Sequence, residues 1–201
     1  MILTWPDIPV GSIRWRKQSQ QVAFKSAFGS QALETGMPVW RVDLNGLMET
    51  REVARSIQEF IDSLDGYKNQ IALWNVEHPV PAGTMRGDMS LVSVARSGDT
   101  TLMIRAIGQG GNTLLAGDYI GLGSTITQQL VRVTEDAIAD IAGVITVNIN
   151  IPLRNAFPVG TEIVWDKPKA LFRQTQEGDG IEITPVFGNA WALSLIEDWR
   201  V

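Results

Sequence analysis

The sequence predicts a mainly β protein: a β-sandwich-like sheet carrying one α-helix, with a small β-barrel or sandwich inserted into it. Three observations lead there. Most apolar segments are short, alternate with period two and are separated by turn-forming clusters. Only between Gly36 and Val76 does the hydrophobic period change from two to 3.6 and back. Near the end of the chain, Trp191, Leu193 and Leu195 alternate as Trp40, Val42 and Leu44 do, so the two segments read as partners in one sheet.

At the N-terminal side, Ile13 to Lys17 alternates Ile and Trp with Arg14 and Arg16, and Val22, Phe24 and Phe28 fall on one face of the next segment. This pattern predicts a β-hairpin. The short basic spot of Arg14, Arg16 and Lys17 reads as a solvated strand face, the ordinary way to blunt a sheet edge. Val39 to Leu44 then predicts a half-buried strand with Trp40, Val42 and Leu44 on one face. Asn45-Gly46 is a turn-prone pair and is expected to end it.

After it, Val53, Ile57, Phe60, Ile61 and Leu64 line one helical stripe, with Thr50 as N-cap and Gly66 closing the C-terminus. The helix is expected over 51–65, with Phe60 buried on the sheet. Ile71 to Val76 returns to extended character, with Ala72, Trp74 and Val76 on one face, until Glu77-His78-Pro79-Val80-Pro81 stops it.

Beyond Pro81-Ala82-Gly83 the texture becomes all β, with predicted strands at 91–95, 101–107, 119–122, 129–134, 144–151 and 162–165. In the fifth of these, Ile145, Val147, Ile149 and Ile151 face one way and Thr146, Asn148 and Asn150 the other. Three further runs follow at 170–175, 181–185 and 190–198. The implied organisation is a sheet-and-helix domain of 1–84 plus 166–201, with 85–165 inserted as an all-β domain.

Composition narrows the function classes. The chain has 201 residues, 44% of them hydrophobic, a formal net charge of −5 and no cysteine. The charge balance argues against general binding of a phosphate backbone, and the missing thiols remove disulfides, thiolate catalysis and cysteine zinc sites. No apolar run reaches the ~20 residues of a bilayer span, and the N-terminal residues predict no secretory signal. The seven tryptophans, at 5, 15, 40, 74, 165, 191 and 199, read as core and interface aromatics rather than a stacking platform.

Catalytic patterns do not emerge. The single histidine, His78, lies in a Glu-His-Pro turn and reads as structural. Glu135, Asp136 and Asp140 lack calcium-loop spacing and read as a polar connection or a single helical turn. The glycine-rich stretches 108–112 and 117–124 lack both the Walker ending and the dinucleotide fingerprint, so they read as β-turns. No pair among the 22 carboxylates stands out as a glycosidase dyad. The reading therefore assigns no catalytic, cofactor-binding or metal residue, expects no cofactor and expects no enzyme.

One resemblance spans nearly the whole chain. The ordered features are Gln21-Val22-Ala23-Phe24, Pro38-Val39-Trp40-Arg41-Val42 before a Thr-capped helix ending Phe60-Ile61-Asp62-Ser63-Leu64-Asp65-Gly66, and the exit Pro81-Ala82-Gly83-Thr84. They continue with Leu115-Ala116-Gly117-Asp118-Tyr119-Ile120, Arg132 to Ala137 leading to Ala142-Gly143, Ile151-Pro152-Leu153-Arg154 and Pro168-Lys169-Ala170-Leu171-Phe172-Arg173. This order resembles long-tailed bacteriophage tail-tip proteins similar to distal tail proteins. The resemblance implies a structural component of the virion, made in the host cytoplasm. It implies a homohexameric ring joining tail tube and tail-tip hub proteins, with DNA passing through without specific binding and no membrane partner. The alternative from the residues is a carbohydrate-binding β module for host recognition.

Overall fold

The computed structural model describes residues 1–6, 8–124, 127–175, 180–184 and 188–199. In chain order the strands are β1 (Ile2–Thr4), β2 (Ser12–Ser26), β3 (Gly29–Glu49), β4 (Gln70–Trp74), β5 (Met89–Leu91), β6 (Thr101–Ala106), β7 (Thr113–Leu114) and β8 (Tyr119–Leu122). They continue with β9 (Gln129–Arg132), β10 (Ala137–Ile138), β11 (Val144–Asn148), β12 (Glu162–Val164), β13 (Lys169–Gln174), β14 (Gly180–Thr184) and β15 (Gly188–Glu197). The helix α1 spans Arg51–Ser63. The fold is mainly β with one helix among the described residues.

Two compact units divide the chain, one of 1–18, 39–73 and 171–199, the other containing 19–38 and 74–170. The boundaries differ from those read in the sequence, where 84 and 166 mark the change of texture. Residues 19–38 also leave the first unit, although they lie inside the continuous strands β2 and β3.

The first unit is built on a sheet of order β1-β4-β13-β15-β3-β2, with β14 added against β15. β15 is antiparallel to β3, and Leu193 lies opposite Leu44 and Leu195 opposite Val42. Opposite residues share a face in a sheet, so the two alternating patterns merge into one apolar surface. Trp40, Val42, Leu44, Trp191, Leu193 and Leu195 are all buried. α1 packs on this unit through buried Ala54, Ile57, Ile61 and Leu64.

Local chemistry sets the helix ends. Thr50 is extended and its hydroxyl accepts from the Val53 amide at 3.4 Å, and the chain leaves the helix through Asp65 and Gly66 in the left-handed region. The stripe is as the sequence predicts, but Phe60 and Val53 lie at its margin, half-buried. The Phe60 ring stands edge-on to Trp5 at 5.6 Å. In β4 the buried face is Ile71 and Leu73, leaving Ala72 and Trp74 half-buried.

Asn45-Gly46 is not a turn. β3 runs straight through it, with Asn45 opposite Ala192 and Gly46 opposite Trp191. The glycine is needed for space: a methyl group at Gly46 would fall 1.7 Å from Nε1 of Trp191. The hairpin predicted within 13–28 is also larger than expected, since β2 returns as β3 through the turn at Ala27 and Phe28.

The second unit contains an antiparallel sheet of order β11-β6-β5-β12-β8-β9 and the small pair β7-β10. The sheet curls until its outer strands meet. A bridge joins Val133 to Ile149, and the Thr134 amide donates to Asn148 O at 2.9 Å while the Asn150 amide donates to Arg132 O at 2.9 Å. Leu102, Ile104, Ile120, Val131, Ile145, Val147 and Ile163 pack together in its core. Closure removes open edges, which is why an all-β segment of short strands settles as a barrel-like body. The paired strands β7 and β10 were not expected from the sequence, and position 185 of the predicted run 181–185 lies outside the described residues.

Two stability predictions follow from the first unit. Gly46→Ala should cost about 2–3 kcal/mol, because the Trp191 indole must move from a packed position. Ile57→Ala should cost about 2–5 kcal/mol and the exposed Glu59→Ala under about 0.5 kcal/mol. Urea unfolding of the three variants checks both, and equal losses at 57 and 59 would contradict the packing of α1.

Candidate functional site

The residues singled out in the sequence do not converge. His78 is exposed; its amide bonds to Asn75 O at 3.1 Å and its ring stacks on Tyr119 with centroids 6.4 Å apart. Asn75 Oδ1 accepts from the Glu77 amide, so the segment is a tight polar turn.

The acidic group 135–140 is likewise spread over separate turns instead of forming a helical turn. Asp136 accepts from the Ala116 amide at 2.8 Å, and Asp140 accepts from the amides of Ala142 and Val144, both at 2.8 Å. β10 lies between them. Within the glycine-rich stretches, Gly108, Gly111, Gly117 and Gly123 have positive φ, the conformation expected for turns. Among the described residues no group of three His, Cys, Asp or Glu is arranged to hold a metal ion.

In the sequence Asp118 reads only as part of a turn-bearing segment, yet it accepts from three backbone amides of the second unit. It is buried and accepts from the amides of Ala82 at 2.7 Å, Gly83 at 3.1 Å and Leu115 at 2.7 Å. Gly83 is pressed so close to β7 that a Cβ would stand 2.3 Å from Thr113 O. The carboxylate thus fastens the segment entering the unit to the turn before β8. Both of its oxygens accept from backbone donors, which makes it structural.

A groove of about 340 Å³ lies along β5 and β12, lined by Asp88, Met89, Glu162, Ile163, Trp165 and Asp166 among others. Its wall is tied together by hydrogen bonds and a cation–π contact. Arg86 lies over the Trp165 ring at 5.1 Å while its guanidinium donates to the carbonyls of Pro81, Gly83 and Met85, and Trp165 Nε1 donates to Gly87 O at 2.8 Å. The carboxylates of Asp88, Glu162 and Asp166 are exposed at its rim. Each tryptophan of the chain is buried or half-buried, and Trp74 carries Lys167 and Lys169 over its ring at 5.4 and 5.5 Å.

The surface least like that of an ordinary soluble monomer is the β2–β3 ribbon. Every residue from 19 to 37 is exposed. Among them are Val22, Phe24 at 60%, Phe28 at 101%, Leu33 at 59% and Met37. Alternation in this stretch signals a strand, but the apolar side chains that the sequence places on one face have no core beneath them. Internal side-chain bonds hold the ribbon only lightly: Gln21 Nε2 donates to Glu34 at 3.3 Å, Thr35 Oγ1 donates to Gln20 O at 3.2 Å, and Ser26 closes the turn by donating to Gly29 O at 3.2 Å. The signal that reveals this surface is compositional: Gln, Ser and Lys alternate with a few large apolar residues over 18–37, a density too low for a core strand.

No family model matches the chain, and no curated protein matches it.

Asp118→Ala should cost about 3 kcal/mol or more, because it leaves several amide donors unpaired, at least one of them buried. Thermal unfolding and amide exchange at Gly83 and Leu115 provide the check; unchanged exchange at both would contradict the role assigned to the carboxylate.

Proposed function

We propose that the protein is a structural subunit of a bacteriophage tail tip, arranged as a ring that links tail tube and tip and lets DNA pass. The observation that carries this reading is the ribbon of residues 19–37, wholly exposed and bearing five large apolar side chains. Several large apolar side chains left exposed on one segment mark a site of association. The ordered segments quoted above, from Gln21-Val22-Ala23-Phe24 to the 168–173 strand, supply the kind of assembly: a virion ring of six copies.

The net charge of −5 agrees with a channel for DNA. A passing polyanion is not retained where Asp and Glu outnumber Lys and Arg, since retention depends on cations that release the counterions of the phosphates.

The test is the mass and symmetry of the protein within assembled tails, followed by a charge map of the inward surface. Six copies around the tube axis and an acidic lumen are expected. Another stoichiometry defeats the count, a strongly basic lumen defeats the sliding argument, and glycan-dependent binding by a monomer would favour the carbohydrate-binding alternative.

A further inference from the structure

Two lysines share one indole. Trp74 ends β4, Lys169 begins the neighbouring strand β13 and Lys167 lies just before it; all three belong to the second unit. Lys167 Nζ and Lys169 Nζ stand 5.4 and 5.5 Å from the ring centroid of Trp74. Their backbones are held: the Lys167 amide donates to Pro79 O at 2.7 Å, and the Lys169 amide donates to Gln128 Oε1 at 2.8 Å. Lys167 has φ 48°, in the left-handed region, immediately before Pro168. A residue preceding proline is ordinarily extended, and one that carries a side chain stays left-handed only where its surroundings impose it. Backbone outliers of this kind cluster at ligand sites.

The locus is rich in donors and poor in acceptors. The ion pairs of the described residues lie elsewhere, at Arg16–Asp43, Arg41–Asp43, Lys68–Asp65 and Arg173–Asp198. Asp166, next to Lys167 in the chain, is exposed and pairs with neither lysine among the described residues. Among the same residues none accepts from Lys167 Nζ, Lys169 Nζ or Trp74 Nε1, and the indole N–H of this half-buried ring is open to solvent. Two positive charges and one neutral N–H are thus gathered at one ring without a protein acceptor.

We propose that Trp74 and its two lysines bind the phosphate group of a phosphomonoester or of free phosphate. Charge and donor number select this class. A phosphate monoester carries about −1.5 to −2 charge at pH 7 and three strong acceptor oxygens, which match two ammonium groups and one indole N–H. The lysines hold the anion as point charges. The indole meets it with its positive edge, the part of the ring that cations over its face leave free. A diester linkage has one charge and fewer free oxygens, so a nucleic-acid backbone is a poorer match, as the net charge of −5 also requires. This site is independent of the tail-ring reading.

The experiment is a phosphorus NMR titration of the full chain, with inorganic phosphate and glucose 6-phosphate as separate probes, above the second ionisation of the phosphate. The variants are Lys169→Gln, Lys167→Gly, Trp74→Phe and, as a control at a distant exposed lysine, Lys25→Gln, each followed by thermal unfolding. The native chain is expected to show saturable binding that weakens as salt rises. Lys169→Gln should lower the affinity at least about tenfold, Trp74→Phe about fivefold through the lost N–H, and Lys25→Gln not at all. Lys167→Gly should lose as much affinity as Lys169→Gln while keeping or raising the unfolding temperature, since glycine adopts a positive φ without strain.

The two probes separate the sources of the anion. Tighter binding of glucose 6-phosphate assigns a phosphorylated sugar, and equal or tighter binding of inorganic phosphate assigns the free anion; either outcome supports the site. No saturable binding of either probe would overturn the proposal, as would a loss at 167 and 169 no larger than at 25. Competition by a single-stranded oligonucleotide without terminal phosphates, equal to glucose 6-phosphate at the same concentration of phosphate groups, would overturn it in favour of a diester backbone. A Lys167→Gly variant that unfolds at lower temperature with unchanged affinity would reduce the lysines to packing on the ring and overturn it too.

Discussion

The contact of Trp191 with Gly46 is the constraint on which the first unit depends. An indole can lie flat over a strand only where that strand lacks a side chain, so a single glycine fixes which residue of β15 sits beside which residue of β3. A shift of one position would place the ring over a residue that carries a side chain and turn Leu193 and Leu195 to the opposite face. The register bulge between Asn189 and Trp191 absorbs the mismatch on one side of this point. Beyond it, Glu197 is buried and accepts from the Trp40 amide at 2.9 Å, so the same pair of strands is fixed again at its other end.

The second unit is held differently. No single side chain dominates it; instead a curled sheet meets itself, and one buried carboxylate, Asp118, gathers amides from two loops that would otherwise leave their donors unpaired. Short strands suffice there because closure shares the hydrogen bonding among many of them. A carboxylate in such a position is easy to mistake for a catalytic acid when only sequence and burial are known. Its partners decide the matter, because a group whose acceptors face backbone amides is not directed at a substrate.

Much of the fold was legible because alternation and helical period are direct images of burial. Trp40, Val42 and Leu44, the Trp191 to Leu195 set, the Ile145 to Ile151 set and the Thr50 cap could all be read from local pattern. Two readings failed for physical reasons, and a third pattern left exposure undecided. Asn45-Gly46 has the propensity of a turn, but tertiary packing of an indole overrides propensity. Phe60 obeys the helical stripe, yet period gives direction and not depth, so it could not show that the ring sits at the margin. Val22, Phe24 and Phe28 alternate as core residues do, while whether anything covers them is a property of the whole molecule. The same holds for Asp118 and for the groove beside Trp165, whose residues come together only through strands far apart in sequence.

The pairing of β3 with β15 also governs the order in which the chain can mature. Position 44 waits for position 193, so most of the polypeptide has to leave the ribosome before the first sheet gains its central partner. The strands β5 to β12 are contiguous in sequence and need nothing downstream of residue 164 for their own pairing. Contacts between residues distant in sequence form late because a long loop must close first. Translation therefore leaves a window in which the middle of the chain is already folded while β3 presents an open edge and an uncovered apolar face. Slow elongation or truncation near the C-terminus would lengthen that window, and aggregation through β3, rather than loss of the middle unit, is the failure this topology invites.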